Sequence, residues 1–351
     1  MFEPIYNNAI NIYISNNIDD VTQCIPYHSF IKGLCINPNA IELVKNIDSR
    51  LWDLDYLCQN PNAIELLEIY LKENKNAERD INWEMLSSNQ NAIHILEKNL
   101  NKVNWSELSL NPNAIHILEK NLNKVNWDKL SLNPNAIHIL EKNLNKVNWD
   151  KLSLNPNAIH ILEKNLKNVC WFNLSLNPNA IHILEKNLKN VCWMNLSCNP
   201  NAIHILEKYL KRVDWRELSS NPNAIHILEK NLDKVYWRLI MRNPNAIHLL
   251  ENNWDKVYWT SGLTRNPNAV EIIKKMLEQE YDGMHFYWRS LGMNPNVKKI
   301  VCKLDYEAMK LKCQPFAQEL ATYVLNPTRL LRLCDTYGLD LEEYMEFLGD
   351  E

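Results

Sequence analysis

The chain has 351 residues, 46% apolar and 23% charged, with a net charge of −4. Its apolar residues come in short clusters, so no run reaches the roughly 20 residues of a membrane-spanning helix. The opening MFEPIYNNAI lacks the basic segment and apolar core of a secretory signal, and nine cysteines without a CxxC pair fit reduced thiols, so the expected compartment is a cytosol.

Residues 1–36 contain a degraded echo, Asn7-Asn8-Ala9-Ile10, and are predicted to be an irregular N-terminal cap. Asn-Pro-Asn, once Asn-Gln-Asn, then begins at 37, 60, 89, 111, 133, 155, 177, 199, 221, 243, 266 and 294, with seven consecutive steps of 22 residues from 89 to 243. Residues 111–132 and 133–154 are letter-for-letter identical.

Within a unit, the first Asn reads as a helix cap and Pro as the first helical position. Ala-Ile-His-Ile-Leu-Glu-Lys is a strong helix former, and the following Asn tolerates the turn that ends it, which predicts a first helix of about ten residues. A second Asn or Asp before Trp (Asn104, Asn126, Asn148, Asp214) predicts a capped single-turn helix, Trp-x-x-Leu-Ser. That helix must stop before the next Asn-Pro. The predicted apolar stripe is Ala114, Ile115, Ile117, Leu118 and Leu122, joined by Val125, Trp127 and Leu130. So few buried side chains cannot offset the entropy of ordering 22 residues, and each unit therefore needs a neighbour on either side.

The predicted fold is all-α: an α-solenoid of about twelve units over 37–296, each with one short helix and one single-turn helix. With helices 8–10 Å apart, a straight stack would reach roughly 100–120 Å. Residues 297–351 lose the period and read as a helical cap restarted at Pro315 and Asn326-Pro327, ending in the acidic DLEEYMEFLGDE.

The Asn-Pro-Asn-Ala-Ile units with a following Trp, and the closing segment PFAQELATYVLNPTRLLRLCDTYGLDLEEYMEF, resemble a family of repeat proteins encoded in many copies by giant DNA viruses of amoebae and algae. The resemblance implies expression in an infected cell, in the host cytoplasm, a viral factory or the virion. It carries over no catalytic or binding residue.

Eight of ten histidines occupy unit position 6, from His94 to His248, and share an outer face with the Glu and Lys three and four residues on. Parallel side chains at about 10 Å spacing do not converge on a metal, so a solvated ladder is expected. The Trp column is expected to pack inward, although aromatics can also stack nucleobases. Cys170 and Cys192 replace the capping Asn in adjacent units, beyond disulfide reach of each other.

The two positions after Trp vary while the core letters hardly change. Phe172 and Met194, one unit apart and flanked by Arg216, Arg238 and Arg242, form the candidate partner-binding patch; drift on a solvated face explains the same variation. All six glycines lie outside the regular units and form no phosphate loop, and HExxH and GxSxG are absent.

The expectation is a non-catalytic scaffold without cofactor or metal that presents an extended surface to a host or viral protein. The first alternative is single-stranded nucleic-acid binding by the mildly basic middle, where residues 89–265 carry +7 against −11 elsewhere. The second is a self-assembling virion component.

Overall fold

The computed structural model describes residues 2–4, 25–47, 49–74, 77–278 and 287–304. Contacts divide the chain into two units, Asn16–Ile300 and Met1–Ser15 with Val301–Glu351. Most of the segment expected to form the C-terminal cap, and the Asn7-Asn8 echo, lie outside the described residues.

The first unit holds the whole repeat array and is helical throughout, with a 22-residue alternation of two short helices. In the second unit Phe2–Pro4 pairs antiparallel with Cys302–Leu304; of the segment expected to be a helical cap, Val297–Val301 is a helix and Cys302–Leu304 a strand.

Each Trp helix forms as its capping residues dictate. Asn104, Asn126, Asn148 and Asp214 sit in extended geometry and accept from the amide three residues on, as in Trp127–Leu132. Cys170 and Cys192 make no such bond, yet their helices persist, so stacking sustains what the cap only assists.

The other helix is half the expected length: Ile115–Glu119 and Ile137–Glu141 have five residues, Ile159–Lys164 six. Asn111 is not its cap. That side chain closes a tight turn onto Asn113 N, and helical bonding starts at Ala114. At the far end Asn121 Nδ2 donates to Ile117 O, which satisfies an end carbonyl and terminates the helix.

Burial follows the unit. Ala114, Ile117, Leu118, Val125 and Leu130 are core, whereas Leu122 is 37% exposed and Ile115 half-buried, which corrects two members of the predicted stripe. The described Trp side chains are half-buried, except for Trp259, rather than packed fully inward. Cations of the following unit cover several: Lys124 lies 4.7 Å from the Trp105 ring, Lys146 4.9 Å from Trp127, Lys234 4.6 Å from Trp215.

The units are tied by three ladders. First, the leading Asn of every unit is buried, and its Nδ2 donates to backbone carbonyls at or just before the start of the preceding unit: Asn133 reaches Ser109 O and Asn111 O, each at 3.0 Å. Second, the third residue of the motif repeats this one step outward, as when Asn135 donates to Pro112 O. Third, buried serines such as Ser109 accept from the amide seventeen residues on.

The first of these ladders has no end. Asn37 donates to Gly292 O at 2.9 Å and to Asn294 O at 2.7 Å, and Asn39 to Pro295 O at 3.3 Å. The first motif thus docks on the twelfth as every other motif docks on its predecessor. The array is a closed ring rather than a continuous rod.

Helix Ile25–Ile36, which lies within the segment expected to be an irregular cap, supplies the first unit's inner helix and packs against Trp288–Gly292. Phe30 meets Trp288 edge-on at 5.7 Å, and the two helices touch where both carry glycine. A Cβ on Gly292 would stand 2.5 Å from Phe30 O, and one on Gly33 would collide with Arg289 O.

The curvature has a local cause. A single Asn side chain plus one hydrogen bond holds neighbouring backbones within roughly 7 Å. Successive Ile helices are instead linked by two long side chains: His116 Nε2 lies 2.7 Å from Glu97 of the preceding unit, and seven similar pairs, from His94–Glu68 to His248–Glu229, span 2.6–2.8 Å. Unequal spacing across a wedge-shaped unit bends the stack, with the Asn row on the inside.

Candidate functional site

The His column stands on the outside, as expected, but pairs between units rather than with the Glu of its own helix. Glu119, three residues after His116, receives His138 of the next unit. Near the start of the ring the same rung is inverted: Glu65 occupies the His slot and Lys45 the Glu slot, 3.3 Å apart. A polar side-chain pair spans the joint in either arrangement, which makes this face connective. Among the described residues no three of His, Cys, Asp and Glu gather as a metal site.

The variable residues lie on the first turn of each Trp helix and serve two purposes. The second position after Trp belongs to the joint between units: Lys129 Nζ is 3.3 Å from Glu107, Asn173 Nδ2 donates to Asp150 O, and buried Asn195 donates to Phe172 O. Glu217 accepts from the Cys198 thiol at 3.2 Å, and burial, then this hydrogen bond, push that thiol up to about 12.

From Asp128 to Arg238 the first position points into solvent, whereas Ser106 is half-buried and Thr260 buried. Phe172 is 52% exposed and Met194 44%, the largest such apolar side chains on adjacent rungs of this row. Arg216 and Arg238 continue the row, and Arg242 is exposed at the end of the same turn as Arg238. Arg216 Nε stands 3.9 Å from Glu217, whereas Arg238 and Arg242 have no carboxylate partner among the described residues.

Five positions change together in the two units behind Phe172 and Met194. The Asn-Lys whose Lys covers a Trp elsewhere becomes Lys167-Asn168 and Lys189-Asn190, and among the described residues no cation lies over Trp149 or Trp171; the caps become Cys170 and Cys192; and the charged pair becomes Phe-Asn or Met-Asn. The Asp and Lys after Trp are lost there, and the remaining Lys moves one position back, to Lys167 and Lys189. Beyond Arg216 a shallow groove of about 670 Å³ runs between units, floored by Val213 and Val235 and edged by Trp215, Asp233, Lys234 and Tyr236.

Fold and surface together define a closed helical repeat ring with one variable, solvent-exposed row. No family model, no curated protein and no solved structure matches the chain. Among the described residues no helix is long and apolar enough to cross a membrane.

Proposed function

We propose that this protein is a non-catalytic repeat scaffold whose row after Trp contacts a protein partner. Phe172 and Met194 are the apolar anchors, and Arg216, Arg238 and Arg242 the polar margin. The resemblance of the units supports a role in a cell infected by a giant DNA virus. The observation that carries the reading is the contrast between rows: the ladder Asn and Ser rows are buried and hydrogen-bonded, while this row changes chemistry from unit to unit and stays exposed. Apolar anchors rimmed by Arg are the composition of interaction hot spots.

The lysines over Trp83, Trp105, Trp127 and Trp215 supply the ring contacts that bases would need, which favours a protein over single-stranded nucleic acid. Affinity capture from infected-cell extract, comparing the native chain with Phe172→Asp/Met194→Asp, tests the proposal. Loss of the captured protein with an unchanged melting curve is expected; equal capture removes the assigned face.

A further inference from the structure

The closed ladder puts all twelve units in one register, so the fifth residue before each ladder Asn can be followed once round the ring. One arc carries Asp55, Glu84, Asp128 and Asp150; the opposite arc carries Arg216, Arg238, Arg289 and Lys32. Phe172 and Met194 stand at one join of the arcs, and Ser106 and Ser261 interrupt the two arcs at matching places. Ten of the twelve are exposed; Lys32 and Ser106 are half-buried.

The sequence of charges is antisymmetric about a line passing between Phe172 and Met194. Reflection across that line exchanges Phe172 with Met194, Asp150 with Arg216, Asp128 with Arg238, Ser106 with Ser261, Glu84 with Arg289 and Asp55 with Lys32. Every acid falls on a base, and no like charges meet. A two-fold axis lying in a contact plane performs this exchange between two copies, and an isologous interface requires it: residue i meets j and j meets i.

We infer that two copies of the ring stack face to face through this row, about a two-fold axis passing between the Phe172 and Met194 rungs, so that each Asp or Glu of one copy meets an Arg or Lys of the other. This rests on the proposed function and names the partner as a second copy of the chain. The neighbouring row obeys the same symmetry near the axis, where Lys151 meets Glu217 of the second copy.

Some row members already have partners: Asp128 accepts from Asn148 Nδ2 at 2.8 Å, Asp55 from Asn82 Nδ2 at 2.9 Å, Lys32 lies 3.3 Å from Asp53, and Arg289 contacts Tyr56. Asp150 and Arg238 have no side-chain partner among the described residues. A band about 10 Å wide on a circle of roughly 120 Å covers on the order of 1,000 Å² of each ring, enough for a specific interface.

Sedimentation velocity of the full chain from about 1 to 100 μM tests the stack, the usual range for a contact rich in exposed charge. A monomer–dimer equilibrium is expected. Asp150→Arg alone and Arg216→Asp alone each place like charges in contact twice per dimer and weaken it by at least about tenfold; the two together restore it to within about threefold. Glu84→Arg, across the ring, weakens it as well, which a contact confined to the Phe172 side would not show. Each variant's melting curve is measured alongside to exclude misfolding.

A chain that stays monomeric throughout, single reversals without effect, or a double reversal that fails to recover the dimer overturns the inference. If the chain is monomeric yet Phe172→Asp/Met194→Asp still loses a captured protein, the interaction reading stands and only pairing with a second copy falls.

Discussion

Asn133 uses both donor hydrogens and its carbonyl oxygen inside the protein: two bonds reach back to the preceding unit, one closes its own turn, and no surface is left to water. Asn133→Ala removes all three bonds and leaves buried carbonyls unpaired, which should cost about 2–4 kcal/mol, read from the urea midpoint. Leu122 makes the opposite case. It continues the helical stripe in sequence but is over a third exposed, so Leu122→Ala should change stability by under about 1 kcal/mol, while Leu118→Ala, fully buried, should cost about 2–5. Equal effects at the two positions would contradict the burial pattern. Two thiols report on the same packing: burial raises Cys35 and Cys58 from 9.0 to about 11. A raised thiol favours the folded state fully below pH 9 and loses that contribution between about pH 9 and 11, as the unfolded thiol ionises and the folded one does not. Stability measured over that window should therefore fall less steeply in Cys35→Ala or Cys58→Ala than in the native chain, and identical slopes would show that these thiols are not buried in solution.

At the scale of elements, the seam between Ile25–Ile36 and Trp288–Gly292 is closed by two glycines that let backbones approach. Gly33→Ala should force the helices apart at a cost of about 1–3 kcal/mol and raise hydrogen exchange selectively at the amides of residues 34–40 and 291–297. Gly262→Ala is the milder comparison, since its Cβ would meet Arg242 Cβ at 3.3 Å and Arg242 N at 3.4 Å, a tight contact without the overlap found at Gly33. Uniform exchange changes in both variants would argue against a special seam. What could be read from the letters divides along the same line. The Trp helices were legible because a cap, an apolar pair and a following Asn-Pro are local signals. The Ile helices were overestimated because Asn111 as a turn-former and Asn111 as a helix cap look identical in sequence; only the neighbouring carbonyls distinguish them. The His–Glu rungs were missed for the same reason, since each pair joins residues nineteen or more apart and a single unit gives no hint which Glu is met. Phe172 and Met194 were placed on the surface correctly, because variation against a constant core marks positions the core does not use.

At the scale of the whole array, an open solenoid must protect two terminal faces, and the sequence reading supplied caps for that purpose. A ring has no terminal unit. Closure buries the face that Asn37 would otherwise expose on the face that Asn294 would otherwise expose, using the same bonds as every interior joint. The period establishes that units stack but not the angle between them, because that angle comes from the difference between short Asn reach inside and long His–Glu reach outside. Gly33 and Gly292 depart from the unit in the seam's favour and carry no period of their own. Closure is decided by one distance. Asn39→Cys and Asn296→Cys, spin-labelled in a chain whose other cysteines are serine, report the separation of the first and twelfth motifs by pulsed electron resonance. A ring places the labels one ladder step apart, within about 20 Å once linkers are included, whereas a straight stack of these units places them roughly 100 Å apart. Adding Gly33→Leu, whose side chain the seam cannot admit, should lengthen and broaden that distribution while leaving label pairs between interior units, such as 135 and 157, unchanged. A long separation in the parent chain, or a short one indifferent to Gly33→Leu, would show that the Asn ladder does not hold the first and last units together in solution.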